Sequence, residues 1–301
     1  LYTLVALSIL LYLLSVAAGS TAGGLGSGAI NVERNSITIT LREEPPQLDA
    51  SRTTDASSFV VLAHVMEGLI AYDVDNELVP GMAERWEIRA DGATFWIRED
   101  AKWSDGQAVT AHDFEFAWQH VVDPATASEY SFILYPIKNA EAVNQGELPK
   151  ERLGVTALDA RTLEVEFERP TPYFDKLVAF NTYFPIREEF YNGADGRYGS
   201  DADMMLYNGP YVISEWVHGA SMLWRKNPYY WNDQKGFLDE IVTAYITQDV
   251  NAKLNLFKDG QIVDTHLIAP MLPEAMERRW QIDRFMDGTV FFLEFNHRDG
   301  R

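Results

Sequence analysis

The chain has 301 residues, with 45 acidic and 25 basic side chains and a formal net charge of −20, which would repel a phosphate backbone and argues against nucleic-acid binding. There are no cysteines, so disulfides, thiolate metal sites and cysteine nucleophiles are excluded. Hydrophobic residues make up 47% of the sequence, and the length allows two domains with a sizeable core.

The first predicted element is a secretory signal peptide. Residues 1–18 carry no charged side chain, and small residues follow from Ala17 to Gly28. This pattern predicts a signal peptide at residues 1–22, without its basic start, and a linker at residues 23–35. An uncleaved membrane anchor is the alternative, since about 18 apolar residues can just span a bilayer. A signal peptide implies export to the periplasm, and no lipid-attachment cysteine is present.

A strand and a helix are predicted next. Ser36–Leu41 alternates β-branched and polar residues, which indicates a strand. A helix is predicted to begin at Ser57, to continue to about Glu67 and to end at Gly68. The residues predicted to form its inward apolar face are Phe59, Val60, Leu62, Ala63 and Met66.

The acidic segment Asp73–Glu77 has the composition of a calcium-binding loop but lacks its essential glycine. Leu78 stands where a helix–loop–helix calcium site needs glycine. We therefore predict a hairpin turn here, with Asn76 in the left-handed conformation.

The remaining elements alternate between strands and helices. Strands are predicted at Thr94–Arg98, Arg161–Glu168, Pro210–Trp216, Ser221–Arg225 and Val290–Phe295, and a tight turn at Asp105–Gly106. Helices are predicted after Thr110 to about Val122 and at Asp249–Lys258. The inward faces predicted for these two helices contain Phe114, Ala117, Trp118 and Val121 in the first, and Leu254 and Phe257 in the second. This mixture indicates an α/β or α+β fold with more than one domain.

Catalytic and metal-binding signatures are absent from the sequence. There is no Gly-x-Ser-x-Gly elbow or phosphate-binding loop, and the six histidines never fall three or four residues apart. Adjacent carboxylates such as Glu43 and Glu44 would face opposite sides of a strand. The sequence thus predicts a protein that is not an enzyme and has no metal or cofactor. A secreted hydrolase whose acids meet only in the fold is the alternative.

A series of short motifs resembles one known family. The strongest block comprises Ala83–Trp86, Thr94–Arg98, Ala101–Gly106, Val109–Ala111 and Asp113–Phe114. Supporting segments are Glu67–Leu69, Val79–Ala83, Asp123–Pro124, Ala127–Ser128, Asn208–Tyr211, Asn227–Trp231, and Leu256 with Gly260. Together they resemble family 5 of the bacterial extracellular solute-binding proteins, from about Ile37 to Asn296. Tyr130 and the Phe292–Asn296 segment are most similar to the oligopeptide-binding subgroup.

The resemblance implies a bilobed, periplasmic-binding-protein type II-like fold of mixed α/β class. Domain I would comprise residues 36–66 and 190–290, and an inserted domain II would comprise residues 67–189. Residues 291–301 would begin the crossover to a third domain. Relative to the family, this chain would lack that domain and with it the C-terminal lobe, and so would represent an N-terminal portion.

The resemblance also implies a function. The protein would be monomeric, would capture short peptides in the periplasm and would deliver them to the transmembrane subunits of an ABC permease. Same-fold proteins for murein peptides, dipeptides, nickel complexes or haem, and sensors or chaperones on the same scaffold, are the alternatives. By motif position, the residues expected to contact the peptide are Thr54, Asp55, Ala56, Tyr130, Thr265, His266, Leu267, Phe292 and Glu294. Two departures from the family pattern are Val263, which precedes Asp264, and His266, which replaces an amide.

Overall fold

The computed structural model describes residues 28–232 and 236–284. The predicted signal peptide at 1–22, the start of the linker, the strand at Val290–Phe295 and the crossover at 291–301 lie outside the described residues. The chain forms two compact units, the first ending at Thr265 and the second beginning at His266.

The described residues contain strands, α-helices and short 3₁₀ helices in a mixed α/β arrangement, which confirms the predicted class. The strands are β1 (Ile30–Asn31), β2 (Ser36–Leu41), β3 (Ile70–Tyr72), β4 (Leu78–Pro80), β5 (Ala83–Ile88), β6 (Gly92–Ile97), β7 (Val155–Ala157), β8 (Thr162–Glu166), β9 (Tyr211–Val217), β10 (Ser221–Lys226) and β11 (Glu240–Ile246). The α-helices are α1 (Ala56–Val65), α2 (Ala111–Val122), α3 (Ala140–Asn144), α4 (Phe174–Leu177), α5 (Glu188–Gly193), α6 (Val250–Lys258) and α7 (Leu272–Glu277). The 3₁₀ helices are Pro124–Thr126, Ser131–Leu134, Lys150–Arg152, Asn181–Tyr183 and Ala269–Met271.

The first sheet joins strands from two distant parts of the chain. Its five strands lie in the order β1-β2-β11-β10-β9. The predicted pair of strands after Pro210 is confirmed as the antiparallel β9–β10 ladder. β11 was not predicted from the sequence, yet it lies beside β2 as the parallel pair of the sheet. A parallel neighbour needs a long crossover, so local turn signals do not indicate this pairing.

The second sheet is a four-stranded antiparallel sheet in the order β5-β6-β8-β7. The predicted alternation on β8 is confirmed, because Leu163 and Val165 are fully buried. Helix α2 packs against β7 and β8. All four of its predicted inward residues are buried: Phe114, Ala117, Trp118 and Val121. On α6, Leu254 is buried as predicted and Phe257 is half-buried.

The acidic segment at residues 73–77 is the turn of a hairpin, as predicted. β3 and β4 pair antiparallel on either side of it, and Asn76 has φ of 61°. One oxygen of the Asp73 side chain accepts hydrogen bonds from the backbone amides of Asp75 and Glu77, both at 2.9 Å. That carboxylate is therefore engaged in closing the turn.

The inward face of helix α1 was predicted only in part, since Leu62 and Met66 are buried as predicted. Val61 and Val65 are fully buried together with Leu62, whereas Val60 is 46% exposed and Ala63 is also exposed. The helix begins at Ala56 rather than Ser57 and ends at Val65 rather than Glu67. Since apolar residues occupy nearly every position from 59 to 66, periodicity alone could not identify the buried side.

The second unit is described from His266 to residue 284. It contains the 3₁₀ helix Ala269–Met271 and α7, which ends at Glu277. Within residues 28–232 and 236–284, no helix is both long and apolar enough to cross a membrane.

Candidate functional site

The loop predicted to contact a ligand forms the N-terminus of α1. Asp55 is the N-cap: its Oδ1 accepts from the Ser58 amide at 2.8 Å and its Oδ2 from the Ser58 hydroxyl at 2.6 Å. Thr54 and Ala56 are exposed. Among the described residues, no hydrogen bond uses the backbone N–H of Thr54, Asp55 or Ala56. The loop therefore offers unpaired amide donors where the helix dipole favours negative charge.

Tyr130, also predicted from the sequence, contacts Phe59, which lies one helical turn after Asp55. Its ring stacks on Phe59, with 6.1 Å between centroids and 22° between planes, and the Phe59 amide donates to the Asp55 carbonyl at 3.2 Å. Phe180 meets both rings edge-on, at 5.4 Å from Phe59 and 5.7 Å from Tyr130. Phe132 adds a fourth ring at 6.0 Å from Tyr130 and is 55% exposed. We call Phe59, Tyr130, Phe132 and Phe180 the aromatic cluster.

A cavity of about 270 Å³ lies at the C-terminal end of α1. Its wall on the helix is formed by Ala63 and Met66. Ala63 follows Phe59 by four residues, and Met66 follows Ala63 by three. All three residues therefore lie on one side of α1. Asn181 lines the opposite wall, and its side-chain amide donates to the Phe59 carbonyl at 3.3 Å. The cavity thus lies between α1 and the segment that contains Phe180.

The floor of the cavity contains a buried carboxylate. Glu67 is 5% exposed and accepts hydrogen bonds from the Tyr230 hydroxyl and the Trp231 indole N–H, both at 2.7 Å. Burial, and then the neighbouring Glu67 carboxylate, raises the pKa of Tyr230 above its usual value, so its hydroxyl stays protonated and donates. The Arg98 guanidinium lies over the Trp231 ring at 3.1 Å.

Three of the segments that carry the family resemblance meet around Glu67. The Asn208 side chain donates to the Glu67 carbonyl at 2.8 Å and accepts from the Glu67 amide at 3.0 Å. The Asn227 side chain donates to the Gly209 carbonyl at 2.9 Å. A Cβ at Gly209 would lie 2.6 Å from the Met66 nitrogen, so only glycine allows this approach.

Among the other predicted site residues, Thr265 alone belongs to the described part of the first unit. Thr265 is half-buried, and within the described residues no hydrogen bond or ring contact joins it to the aromatic cluster. His266 is exposed and Leu267 half-buried in the second unit. Phe292 and Glu294 lie outside the described residues. Contact with a ligand therefore stays a prediction for each of these five, as it does for the residues near α1.

Sequence reasoning missed most of the aromatic cluster. Phe59 was assigned to the core-facing side of its helix, and neither Phe132 nor Phe180 was singled out. The rings of Phe59 and Phe180 meet from positions far apart in the chain, and a single sequence contains no local signal for that contact.

Two larger cavities lie elsewhere in the first unit. One of about 480 Å³ lies between the end of β11 and α6, and one of about 420 Å³ lies beside α5. Neither is lined by a residue that was predicted to contact the ligand. In the part of the chain that the structure describes, no group of three or more histidine or acidic side chains could hold a metal ion.

Comparison with known proteins gives a family for these features. The profile described as "Bacterial extracellular solute-binding proteins, family 5 Middle" matches residues 77–301. Oligopeptide-binding protein OppA of Bacillus subtilis is 36% identical over 246 residues, which cover 80% of this chain and 45% of OppA. The chain spans about half the length of the curated relatives that it matches.

Solved structures share the fold. The substrate-binding domain of an oligopeptide ABC transporter from Bacillus anthracis superposes with a TM-score of 0.78 at 41% identity, covering 82% of this chain and 48% of that chain. Listeria monocytogenes OppA bound to peptide superposes with a TM-score of 0.77 at 33% identity, covering 82% of this chain and 49% of that chain.

Proposed function

The chain belongs to family 5 of the bacterial extracellular solute-binding proteins, and from that premise we propose that the protein is the peptide-binding component of an ABC importer. It captures short oligopeptides outside the cytoplasmic membrane and delivers them to the transmembrane subunits of a permease. The observation that carries this proposal is the exposed N-terminus of α1 beside the aromatic cluster. Unpaired amides and partly exposed rings there can bind a peptide's backbone and side chains respectively.

The backbone of a peptide is matched by the backbone of the loop. Thr54, Asp55 and Ala56 offer amide donors that the described fold leaves unused, and an extended ligand presents carbonyl groups at regular spacing. Main-chain hydrogen bonds of this kind give affinity that depends little on the ligand's sequence. The Asp55 carboxylate contributes indirectly, because its bonds to Ser58 fix the first turn of α1.

Ligand side chains are matched by the rings. Tyr130 offers a partly exposed ring and a hydroxyl, and aromatic side chains combine a large apolar surface with few rotatable bonds. Thr265, His266, Leu267, Phe292 and Glu294 complete the proposed contact set by their positions in the chain. Glu294 is suited to a cationic ligand group. Binding and release need no covalent step.

We also propose the domain boundaries, the cellular location and the oligomeric state of the protein. Domain I comprises residues 36–66 and 190–290, and domain II comprises residues 67–189. This is supported by the strand segments: the five-stranded sheet draws on residues 30–41 and 211–246, whereas the four-stranded sheet lies within residues 83–166. The protein is exported to the periplasm by the segment at residues 1–22 and acts as a monomer.

The direct test is to express the full-length gene product and to identify the ligands that co-purify with it by mass spectrometry. We expect a mixture of short peptides, and calorimetry with synthetic tri- to pentapeptides should give saturable binding. Recovery of a single nickel complex, haem, or a sugar instead of peptides would contradict the proposal. Recovery of murein peptides alone would restrict the ligand class to cell-wall peptides.

A further inference from the structure

Helix α1 is apolar on two sides. Val61, Leu62 and Val65 enter the core, while Ala63 and Met66 line the cavity on the other side of the helix. A helix at the surface of a globular protein usually presents polar residues on the side away from the core. A second apolar stripe next to a cavity therefore indicates a surface that meets another apolar group.

The chemistry of the cavity selects an apolar occupant. Met66 and Phe184 are buried in its walls, exposed by 3% and 5% respectively, and Ala63 adds a methyl group. Its carboxylate, on Glu67, already accepts bonds from the hydroxyl of Tyr230 and from a tryptophan indole. An apolar group can enter such a pocket without leaving a buried polar group unpaired.

The size of the cavity limits what can enter. Pockets that hold a whole small-molecule ligand usually have about 300–1,000 Å³. At about 270 Å³, this cavity is suited to one side chain of a longer ligand rather than to a complete solute.

We infer that the groove formed by Ala63, Met66 and Phe184 is a specificity pocket for one apolar or aromatic side chain of the bound peptide; this inference rests on the proposed function. The groove extends from Ala63, in the last turn of α1, to the Glu67 floor. Trp231 and Tyr230 hold that floor in place. The groove adds a preference at one ligand position to binding that is otherwise directed at the backbone.

Helix geometry gives the position of that side chain in the ligand. Ala63 follows Asp55 by eight residues, which is about 12 Å along a helix that rises 1.5 Å per residue. An extended peptide covers the same distance in about four residues. A peptide whose first residue lies at the Thr54–Ala56 loop therefore places its fourth or fifth residue at the groove.

The test is a positional scan in the full-length protein. Penta-alanine and five derivatives, each with one phenylalanine, are titrated by calorimetry. We expect phenylalanine at the fourth or fifth residue, counted from the end held by the loop, to bind about tenfold more tightly than penta-alanine. Phenylalanine at the end held by the loop should give no gain.

Variant Ala63→Phe fills the groove from an exposed helical position, so the core is left intact. It should abolish the gain from phenylalanine and keep the affinity for penta-alanine within about twofold. Val60→Phe is the matched control, because Val60 is exposed on the same helix but does not line the cavity, and it should keep the preference. Ala63→Leu is a smaller filling variant, to be used if the melting temperature of Ala63→Phe falls.

The outcomes separate the inference from the function on which it rests. Two results would contradict the specificity pocket and leave the proposal of peptide binding intact. One is tight binding of penta-alanine without any positional preference, and the other is a preference that persists in Ala63→Phe and Ala63→Leu. Equal loss of affinity for every peptide in both filling variants also overturns the specificity pocket. Failure of every peptide to bind the wild-type protein overturns both.

Discussion

Tyr230 donates its hydroxyl hydrogen to Glu67 at 2.7 Å across 163 residues of sequence. Glu67 lies between α1 and β3, whereas Tyr230 follows β10. The bond therefore links the end of α1 to the segment that follows β10 of the five-stranded sheet. Because the carboxylate is buried, its oxygens need such donors as hydrogen-bond partners.

Tyr230→Phe is expected to destabilise the protein by about 1–3 kcal/mol, because it leaves a buried carboxylate with one donor fewer. Urea unfolding followed by tryptophan fluorescence measures the loss. Tyr229→Phe is the control: Tyr229 is 44% exposed, and its loss of a hydroxyl should change stability by less than about 0.5 kcal/mol. Equal effects of the two substitutions would show that the bond to Glu67 contributes nothing.

Asp55→Ala is expected to lower stability by about 1 kcal/mol through loss of the α1 N-cap, and Asp55→Ser should retain most of it. Thr54→Ala is the control, because no described hydrogen bond uses the Thr54 side chain. Thermal unfolding without peptide checks the cap, and calorimetry checks binding. A large loss of peptide affinity in Asp55→Ser with unchanged stability would assign the carboxylate to the ligand instead.

Tyr130→Ala is expected to raise the dissociation constant for peptides about tenfold, since it removes the ring that stacks on Phe59. Tyr130→Phe retains the ring and should remain within about threefold of the wild type. Tyr173→Ala provides a comparison at another tyrosine, which is 48% exposed and is not in the aromatic cluster. Unchanged affinity in Tyr130→Ala would remove Tyr130 from the proposed site.

Stability is expected to depend on pH through His120. Burial lowers the pKa of His120 from 6.5 to about 4, with Lys150 acting in the same direction. The ring stacks on Phe116 and lies beside Tyr191. As the pH falls from about 6.5 towards 4, the unfolded chain gains a proton that folded His120 does not accept. Its contribution to stability is therefore present above pH 6.5 and is lost across this window.

The His120→Asn variant isolates that contribution, since buried Asp49 and Asp113, whose pKa values burial raises, titrate in both proteins. Urea unfolding of both proteins between pH 7.5 and 4.5 is the measurement. The stability difference between wild type and variant should shift in favour of the variant as the pH falls. A difference that stays constant across this range would contradict the low pKa of His120.

The amphipathic elements were predictable because their patterns are local. β2 was predicted with its observed bounds, and α2 with its cap at Thr110 and its inward face. Asp113 completes that cap by accepting from the Thr110 amide at 2.7 Å. In such segments the spacing of apolar residues and the capping side chain lie within a few residues of each other, so one sequence suffices.

The family motifs were also present in the sequence, and they gave the residues at the start of α1 and Tyr130 as site residues. The sequence did not indicate that Tyr130 contacts Phe59, or that Phe180 meets both rings. It also did not indicate which side of α1 is buried, because the helix is apolar on both sides.

The sequence alone thus determined the class of fold and the family, and it predicted a ligand-contacting loop at Thr54–Ala56. Tertiary structure decided the parallel pairing of β11 with β2, the aromatic cluster and the Glu67 floor. The physical reason is sequence separation. The contacts of β2 with β11, of Phe59 with Tyr130 and of Glu67 with Tyr230 each join residues more than 70 positions apart. Apolar burial has no direction that would identify the partner in advance. Only the folded chain determines which aromatic rings are in contact. It also determines which carboxylate accepts the hydrogen bond from the Tyr230 hydroxyl.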